Sequence, residues 1–376
     1  MKKIYSVALL FVCLCAISQN GAPASPYYTG FDWTQTGSTM KSALATRITT
    51  THTRFLSYAQ AEDALKIVDL DPADLTNTNV LLIYGFDNVN VCNYTSESSF
   101  GTSANWTEHR RRHREADVSN PPGDQCAWNR EHVYPQSLGT PALGQIGAGA
   151  DAHHLRTCDV VRNANRGNSK FGTGIGNSGY NGSFWYPGDE WKGDVARNMM
   201  YLYLRYPTQC LPTGVGTGAT VSSDNAMVQL FLEWNAEDPV SEYEDRRNTY
   251  LGNTSNALGQ GNRNPFIDNP YLATVIWGGT AAQNRWPNIY LSTDTFDVFA
   301  DTNIYPNPSS DNKININSTV VLDQIQIINI NGQIMQMIQK PTFIDNNFTI
   351  ENLPKGFYFV KMNTENQSIT KKVFVN

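Results

Sequence analysis

The sequence predicts an α+β fold, in which a mixed helical domain is followed by a small all-β sandwich domain. Amphipathic helical patterns occur on both sides of a strand, loop, strand and helix arrangement between residues 128 and 168. Beyond Ser292 tryptophan disappears and short β-branched runs begin. The 376 residues exceed what one domain of typical size needs, so we expect two domains and a processed end.

The N-terminus has the pattern of a signal peptide, which we assign to residues 1–24. Met1, Lys2 and Lys3 form its positive region, and the apolar run over 7–17 is too short for a resident membrane helix. A lipoprotein cysteine within that run is a weaker alternative, because bulky residues precede both cysteines. No other segment is long and apolar enough to cross a membrane, so export is expected.

The mature chain keeps four cysteines: Cys92, Cys126, Cys158 and Cys210. In an oxidising compartment four cysteines indicate two disulfides, with three connectivities that sequence cannot distinguish. A zinc site is the alternative, but no CxxC pair is present.

Hydrophobic patterns predict further elements in the first domain. Helices are expected at 39–50, 58–67, 194–206 and 225–234, with Asp194 as an N-cap and Pro207 as a stop. The apolar run at 80–84 predicts a buried strand, and the glycine-rich stretches at 139–149 and 172–182 predict loops. Charged residues make up only 16% of the chain and the net charge is -6, which argues against a sequence-reading duplex binder with a broad basic face.

The adjacent pair Glu131 and His132, with Asn163 downstream, carries the chemistry we expect. Hydrolysis of a phosphodiester needs a base to take a proton from water, and a neutral imidazole suits that task. The transition state and the departing oxygen need positive charge, which a hard divalent cation provides. Such a cation prefers oxygen ligands, so one carboxylate and one amide suffice.

Neighbours on a regular strand point to opposite faces, so Glu131 and His132 reach one phosphate only where the strand ends. Pro135 disfavours continuation and pushes Tyr134 toward extended geometry. We therefore expect the first strand to end at His132. A second strand is expected near 152–157, followed by a short helix from Val160 that presents Asn163.

This layout resembles the endonuclease I family of ββα-metal (His-Me finger) nucleases. The resemblance spans roughly residues 27 to 280, and its motifs occur in order. Besides the Glu-His stretch at 128–137, they are Asp151-x-His153-His154-Leu155-Arg156, Asn163-x-x-Arg166-Gly167-Asn168, Asp238-Pro239-Val240-Ser241 with Arg246-Arg247-Asn248, and the run 260–268 with Ile276-Trp277-Gly278.

The resemblance implies a secreted nonspecific endonuclease with His132 as general base and Glu131 and Asn163 as Mg²⁺ ligands. Ca²⁺ and Mn²⁺ are alternative ions. The implied substrate is DNA, often also RNA, cut to leave 5′-phosphate and 3′-hydroxyl ends. Two other classes stay open: a secreted nucleic-acid-binding or adhesive protein without turnover, and a phosphodiesterase of small substrates.

Some members of this family carry a phosphate-binding arginine in a longer insert between the His and the second strand. Here the corresponding residues 138–150 contain neither Arg nor Lys, so the arginine that binds the phosphate is undecided. We place Arg166 with His132 in the catalytic group, and assign Arg130, Arg162 and Asn168 to substrate binding. Asp151 and His153 are expected to be structural residues beside the site.

The basic run at 109–114 is a further candidate for phosphate binding. On a helix His109 and His113 would share a face and suit zinc, although no Glu lies between them where a metalloprotease needs it. An ordinary solvated helix face is an equal alternative.

The C-terminal region, assigned to 296–376 after a catalytic domain at 25–295, has the pattern of a small β-sandwich. Its Tyr305-Pro306-Asn307-Pro308 segment, Gly356-Phe357-Tyr358 turn and Lys371-Lys372-Val373 end resemble the sorting domain of the type IX secretion system. A carbohydrate-binding or adhesion sandwich is the alternative. The resemblance implies the secretion machinery as a partner and a secreted or cell-surface location, and we expect a monomer.

Overall fold

The computed structural model describes residues 21–88, 106–117, 127–290, 302–364 and 368–376. Most of the predicted signal peptide lies outside these residues, as do Cys92 and Cys126. The chain divides into two compact units between Ile289 and Tyr290.

In the described part of the first unit, more residues lie in helices than in strands. The predicted helices at 39–50 and 58–67 are confirmed as α1 and α2. Ser57 and Gln60 form a capping box that starts α2, whose apolar face is buried. The helices are α1 Gly37–Thr51, α2 Tyr58–Val68, α3 Val160–Arg166, α4 Lys192–Arg205, α5 Pro212–Val215, α6 Gln229–Glu237, α7 Glu242–Leu251, α8 Pro265–Asp268 and α9 Tyr271–Trp277.

Four antiparallel strand pairs lie among these helices in the described residues. Consecutive strands pair with each other in every case. They are β1 Asn79–Leu81 with β2 Arg111–His113, β3 Trp128–His132 with β4 Leu155–Asp159, β5 Gly179–Asn181 with β6 Phe184–Tyr186, and β7 Thr220–Val221 with β8 Asp224–Val228.

The unit formed by β3, β4 and α3 positions the site. The strand β3 ends at His132, as predicted, and pairs with Leu155 of β4 there. The second strand starts later than predicted, because residues 152–154 form a turn. Helix α3 follows β4 without a linker. The Asp159 carboxylate caps it by accepting from the backbone N–H groups of Val161 and Arg162.

The alternation of β3 brings two helices onto its two faces. Trp128 packs in a core with Ala61 and Leu65 of α2, so that face belongs to α2. Asn129, one residue on, hydrogen-bonds to Asn163 of α3. The side chains of Glu131 and His132 therefore leave β3 from opposite faces. Both can reach the same pocket because the strand ends at these two residues.

Two predictions about later helices are wrong in detail. Helix α4 begins at Lys192 with Trp191 as its N-cap, so Asp194 lies in the first turn, where it is buried 3.9 Å from Arg197. The predicted helix at 225–234 begins as the strand β8, because Val228 pairs with Thr220 of β7. Helix α6 starts only after that pairing ends.

The disulfide prediction is wrong for two of its four cysteines. Cys158 and Cys210 are buried free thiols. Burial raises the pKa of Cys210 to about 12 and that of Cys158 well above its usual range. Both therefore act as small hydrophobic residues.

The second unit contains two antiparallel sheets that enclose one apolar core, which confirms the predicted sandwich. Ile314, Ile316 and Ile350 enter this core from one sheet, and Ile325, Val360 and Val373 from the other. No helix among the described residues has the length and apolar character needed to span a membrane. The strands are β9 Asn303–Tyr305, β10 Ile314–Asn317, β11 Gln324–Asn329, β12 Ile334–Gln339, β13 Asn347–Ile350, β14 Gly356–Asn363 and β15 Ser368–Val375.

Candidate active site

A pocket of about 250 Å³ opens where β3 ends. Its wall on one side comes from α3 and the loop after it, and on the other from the turn that follows β3. The residues that line it are Arg130, Glu131, His132, Pro135, Gln136, Ser137, Asn163, Gly167 and Asn168. The structure thus brings together five of the residues singled out from sequence: Arg130, Glu131, His132, Asn163 and Asn168.

Glu131 is a buried carboxylate, only 2% exposed. Its Oε1 accepts a hydrogen bond of 2.9 Å from the Tyr84 hydroxyl and lies 3.2 Å from Nη1 of Arg166. Burial nevertheless raises its pKa to about 7, although Arg166 and Tyr84 act in the opposite direction. A carboxylate so poorly solvated is one that a bound cation would stabilise in its charged form.

The environment of His132 fixes the form of its imidazole. Nε2 lies 2.9 Å from the carbonyl oxygen of Gly149, and a carbonyl can only accept. Burial lowers the pKa of His132 to about 4, so the ring is neutral near pH 7. With its single proton on Nε2, Nδ1 is left as a free base. The Tyr58 ring stacks on the imidazole, with centroids 5.6 Å apart.

Asn163 presents its amide oxygen rather than its amide nitrogen as a ligand. Nδ2 donates to Oδ1 of Asn129 at 2.7 Å and to the Arg130 carbonyl at 3.3 Å. Within the described chain, both polar contacts of the Glu131 side chain fall on Oε1. Oδ1 of Asn163 and Oε2 of Glu131 therefore remain as oxygen donors that fit a hard divalent cation with several waters.

Arg130 lines the pocket but is tied to α2. Nη2 pairs with the Glu62 carboxylate at 2.9 Å, and Nη1 donates to the carbonyl oxygen of Tyr58 at 2.7 Å. The guanidinium also lies 3.7 Å from the centroid of the Tyr58 ring. Tyr58 therefore packs against both Arg130 and His132 and orients the face of β3 that carries them.

Arg166, predicted to belong to the catalytic group, is not among the residues that line the pocket. It is 1% exposed, and besides Glu131 its guanidinium donates to the carbonyl oxygens of His132 and Val133. These contacts hold the chain where it leaves β3. Arg166 is therefore a positioning residue.

Arg162 lies away from the pocket, so the structure does not support its assignment to substrate binding. Its guanidinium is buried, donates to the backbone and hydroxyl of Ser178, and lies over the rings of Phe86 and Trp185. The Arg162 side chain thus connects α3 to Ser178 and to the ring of Trp185.

The basic run at 109–114 is not a helix, so the predicted shared face of His109 and His113 does not exist. Its arginines are engaged with carboxylates: Arg110 with Glu190, Arg111 with Asp71, and the buried Arg112 with Asp159. In the part of the chain that is described, no group of three or more His, Cys, Asp or Glu side chains suits a metal ion.

The structure places Asp151 and His153 in a buried polar network behind the site. The Asp151 carboxylate accepts hydrogen bonds from Tyr201, Tyr206 and Gln260, at 2.8, 3.0 and 3.0 Å. Nε2 of His153 lies 2.9 Å from the Asn262 carbonyl oxygen, and burial lowers its pKa to about 4. This network anchors the end of the 139–149 loop, whose Gly149 carbonyl holds His132.

Replacing Gly149 by alanine is expected to lower kcat by about 10- to 100-fold. An added Cβ would lie 2.0 Å from the backbone oxygen of Gly144, so the loop must shift and carry its carbonyl away from His132. Steady-state kinetics would measure the loss, and a thermal melt would measure the accompanying change in stability. The matched control is Gly179→Ala, which meets no atom within 4 Å. Equal kcat values for the two variants would contradict this role of the loop.

Several residues of the site are not identified by the sequence analysis. Asn129 could have been found, because it precedes Glu131 by two positions and so shares its strand face. Tyr84 ends an apolar run and has a positive φ of 70°, but nothing local connects it to Glu131. Tyr58 and Glu62 belong to a helix some 70 residues earlier in the chain.

The chain is similar to two protein families and to several known proteins. The family model described as Endonuclease I matches residues 36–271, and that of the secretion system C-terminal sorting domain matches residues 303–376. An extracellular ribonuclease of Bacillus subtilis (strain 168) is 36% identical over 275 residues, which covers 68% of this chain and 82% of the relative. An extracellular ribonuclease of Bacillus amyloliquefaciens is 37% identical over 256 residues, with 65% and 75% covered. A solved structure titled for PorZ, of the type IX secretion system of Porphyromonas gingivalis, is 13% identical and covers 22% of this chain and 12% of its own, with a TM-score of 0.19.

Proposed function

This chain belongs to the endonuclease I family, and we propose that it is a nonspecific, magnesium-dependent endonuclease with His132 as general base. The family and the extracellular relatives identify it as a secreted nuclease, and its sorting domain indicates export by the type IX pathway. Nucleases of this family generally depend on a divalent metal. The choice of magnesium, the substrate and the roles of individual residues are our proposal.

The observation that carries the proposal is the hydrogen bond between His132 and Gly149. It directs the imidazole proton to Nε2 and leaves Nδ1 able to accept a proton, in a pocket that also holds Glu131 and Asn163. A base and two oxygen ligands for a metal ion in one pocket suit the metal-assisted hydrolysis of a phosphodiester.

In the proposed reaction, Nδ1 of His132 takes the proton of the attacking water, and the Gly149 carbonyl stabilises the imidazolium that forms. Glu131 and Asn163 would hold Mg²⁺, with Arg166 and Asn129 fixing their positions. The bound ion would supply positive charge to the phosphate and the departing 3′-oxygen. Arg130 and Asn168 would contact the phosphate and sugar from the pocket walls. The departing 3′-oxygen would take up a proton from solvent water, so that the products are 5′-phosphate and 3′-hydroxyl ends.

Both DNA and RNA are proposed as substrates. The two relatives are named as ribonucleases, which supports RNA, and the motifs of the endonuclease I family support DNA.

Chelation of divalent metal is expected to abolish cleavage of both plasmid DNA and a long RNA, and added Mg²⁺ to restore it. The reason is that the Glu131 carboxylate and the Asn163 amide provide no positive charge of their own for the transition state. Gel assays with EDTA, followed by Mg²⁺, Mn²⁺ or Ca²⁺, would test this and rank the ions. Binding of nucleic acid without cleavage in the presence of any of these metals would support a nucleic-acid-binding or adhesive protein. Turnover of small phosphodiesters but not of nucleic acids would support a phosphodiesterase of small substrates.

A further inference from the structure

The hairpin β5–β6 places an exposed aromatic ring beside the α3 wall of the pocket. Tyr180 is 55% exposed. Its hydroxyl donates to the carbonyl oxygen of Asn165 at 2.8 Å and lies 3.0 Å from the Ser169 hydroxyl. Asn165 and Ser169 immediately flank the segment 166–168, whose Gly167 and Asn168 line the pocket. The Tyr180 ring is thus attached to the rim of the site.

The ring is held in place from beneath. The buried Trp185, its cross-strand partner, packs edge-on against it with centroids 5.3 Å apart at 88°. The Arg162 guanidinium lies 5.5 Å from the centroid of Trp185. A ring fixed in this way loses little conformational entropy when it stacks on a ligand.

The charge of the surrounding surface favours a ligand that binds through its bases. Asn165 and Asn168 are exposed and neutral, and the nearby Lys170 donates to the Thr213 carbonyl at 2.9 Å. The net charge of the chain is -6, and among the described residues the arginines at 110–112 are each paired with a carboxylate, which weakens their attraction for a phosphate backbone. Stacking on aromatic side chains offers an alternative source of affinity, and it needs a base whose face is not covered by its neighbours.

We propose that Tyr180 stacks on an unpaired base beside the scissile phosphodiester, so that the preferred substrates are single-stranded nucleic acids or unpaired stretches. This inference rests on the proposed function, because it deepens the substrate class of the same pocket. In a duplex, each base is stacked on its neighbours and unavailable to a protein ring.

Tyr180→Ala is expected to weaken binding and kcat/KM for a single-stranded oligonucleotide of about 12 residues by roughly fivefold to more than a hundredfold. Tyr180→Phe should retain most of the stacking, since Trp185 still packs against the ring although the contacts of the hydroxyl with Asn165 and Ser169 are lost. Hydrolysis of bis(p-nitrophenyl) phosphate, and cleavage of the same sequence as a duplex, should be unchanged in both variants. Fluorescence anisotropy in EDTA would measure binding, and Mg²⁺ assays would measure turnover.

The matched control is Phe184→Ala, which removes a ring from the same hairpin. Phe184 pairs with Asn181 and therefore faces the opposite side from Tyr180. Wild-type behaviour of Tyr180→Ala on single strands would overturn the inference, as would an equal loss on all three substrates, which indicates a structural role. If the wild type cuts nothing but binds single strands through Tyr180, the proposed function fails while the stacking site stands.

Discussion

Replacing His132 by alanine is expected to lower kcat for nucleic-acid cleavage by about 10²- to 10⁴-fold. Among the described residues that line the pocket, His132 alone carries an imidazole, so the attacking water would lose its proton acceptor. Binding of a labelled oligonucleotide in EDTA should change little, because the imidazole acts on water rather than on the substrate. Single-turnover rates in saturating Mg²⁺ would separate the chemical step from binding and product release.

His113→Ala is a suitable control for this experiment. It removes a histidine from β2, outside the pocket, and should leave kcat unchanged. Undiminished cleavage by His132→Ala would refute the assignment of the base. A parallel loss of folding, detected by circular dichroism, would instead point to a structural role for the ring that packs on Tyr58.

Replacing Arg166 by methionine is expected to destabilise the protein by about 3–5 kcal/mol. The change leaves the Glu131 carboxylate, itself 2% exposed, without its counter-charge. It also removes the donors that satisfy the carbonyl oxygens of His132 and Val133. Urea unfolding in EDTA would measure the loss of free energy without interference from bound metal.

A double variant tests whether the buried charge is the cause. Glu131→Gln combined with Arg166→Met should be less destabilised than Arg166→Met alone, because no unpaired carboxylate then remains. Arg246→Met provides the matched control, since Arg246 is 45% exposed, pairs with Glu242 at the surface and should contribute about 0–1 kcal/mol. If Arg166→Met cost no more than this control, the positioning role would be wrong.

Some parts of the fold follow from local chemistry that the sequence shows. The end of β3 at His132 is predicted from Pro135, and the helix at 58–67 from its apolar pattern; in the structure Ser57 caps its start. The prediction of a helix at 225–234 is wrong in its first half. The apolar pattern there suits a helix, but Val228 pairs with β7, so residues 225–228 form a strand. Such pairing depends on a partner strand that no local pattern identifies.

The candidate site shows the same division. Glu131, His132 and Asn163 belong to one strand, loop, strand and helix unit. The resemblance of its motifs is enough to predict that these three residues lie in one pocket. The arginines could not be sorted in this way, because whether a guanidinium faces a pocket or a carbonyl depends on distant elements. Arg162 meets Ser178, and Arg130 meets Glu62, which lies 68 positions away along the chain.

The direct junction of β4 and α3 has a consequence for how this chain can vary in length. Asp159 ends the strand and also caps the helix, so no residue between them can absorb an insertion. One extra residue in α3 before Asn163 would turn its side chain by about 100° around the helix axis and away from Glu131. The loop at 139–146 contributes no residue to the pocket lining. Homologous chains should therefore gain and lose residues between the two strands, but keep Asp159 and Asn163 four positions apart.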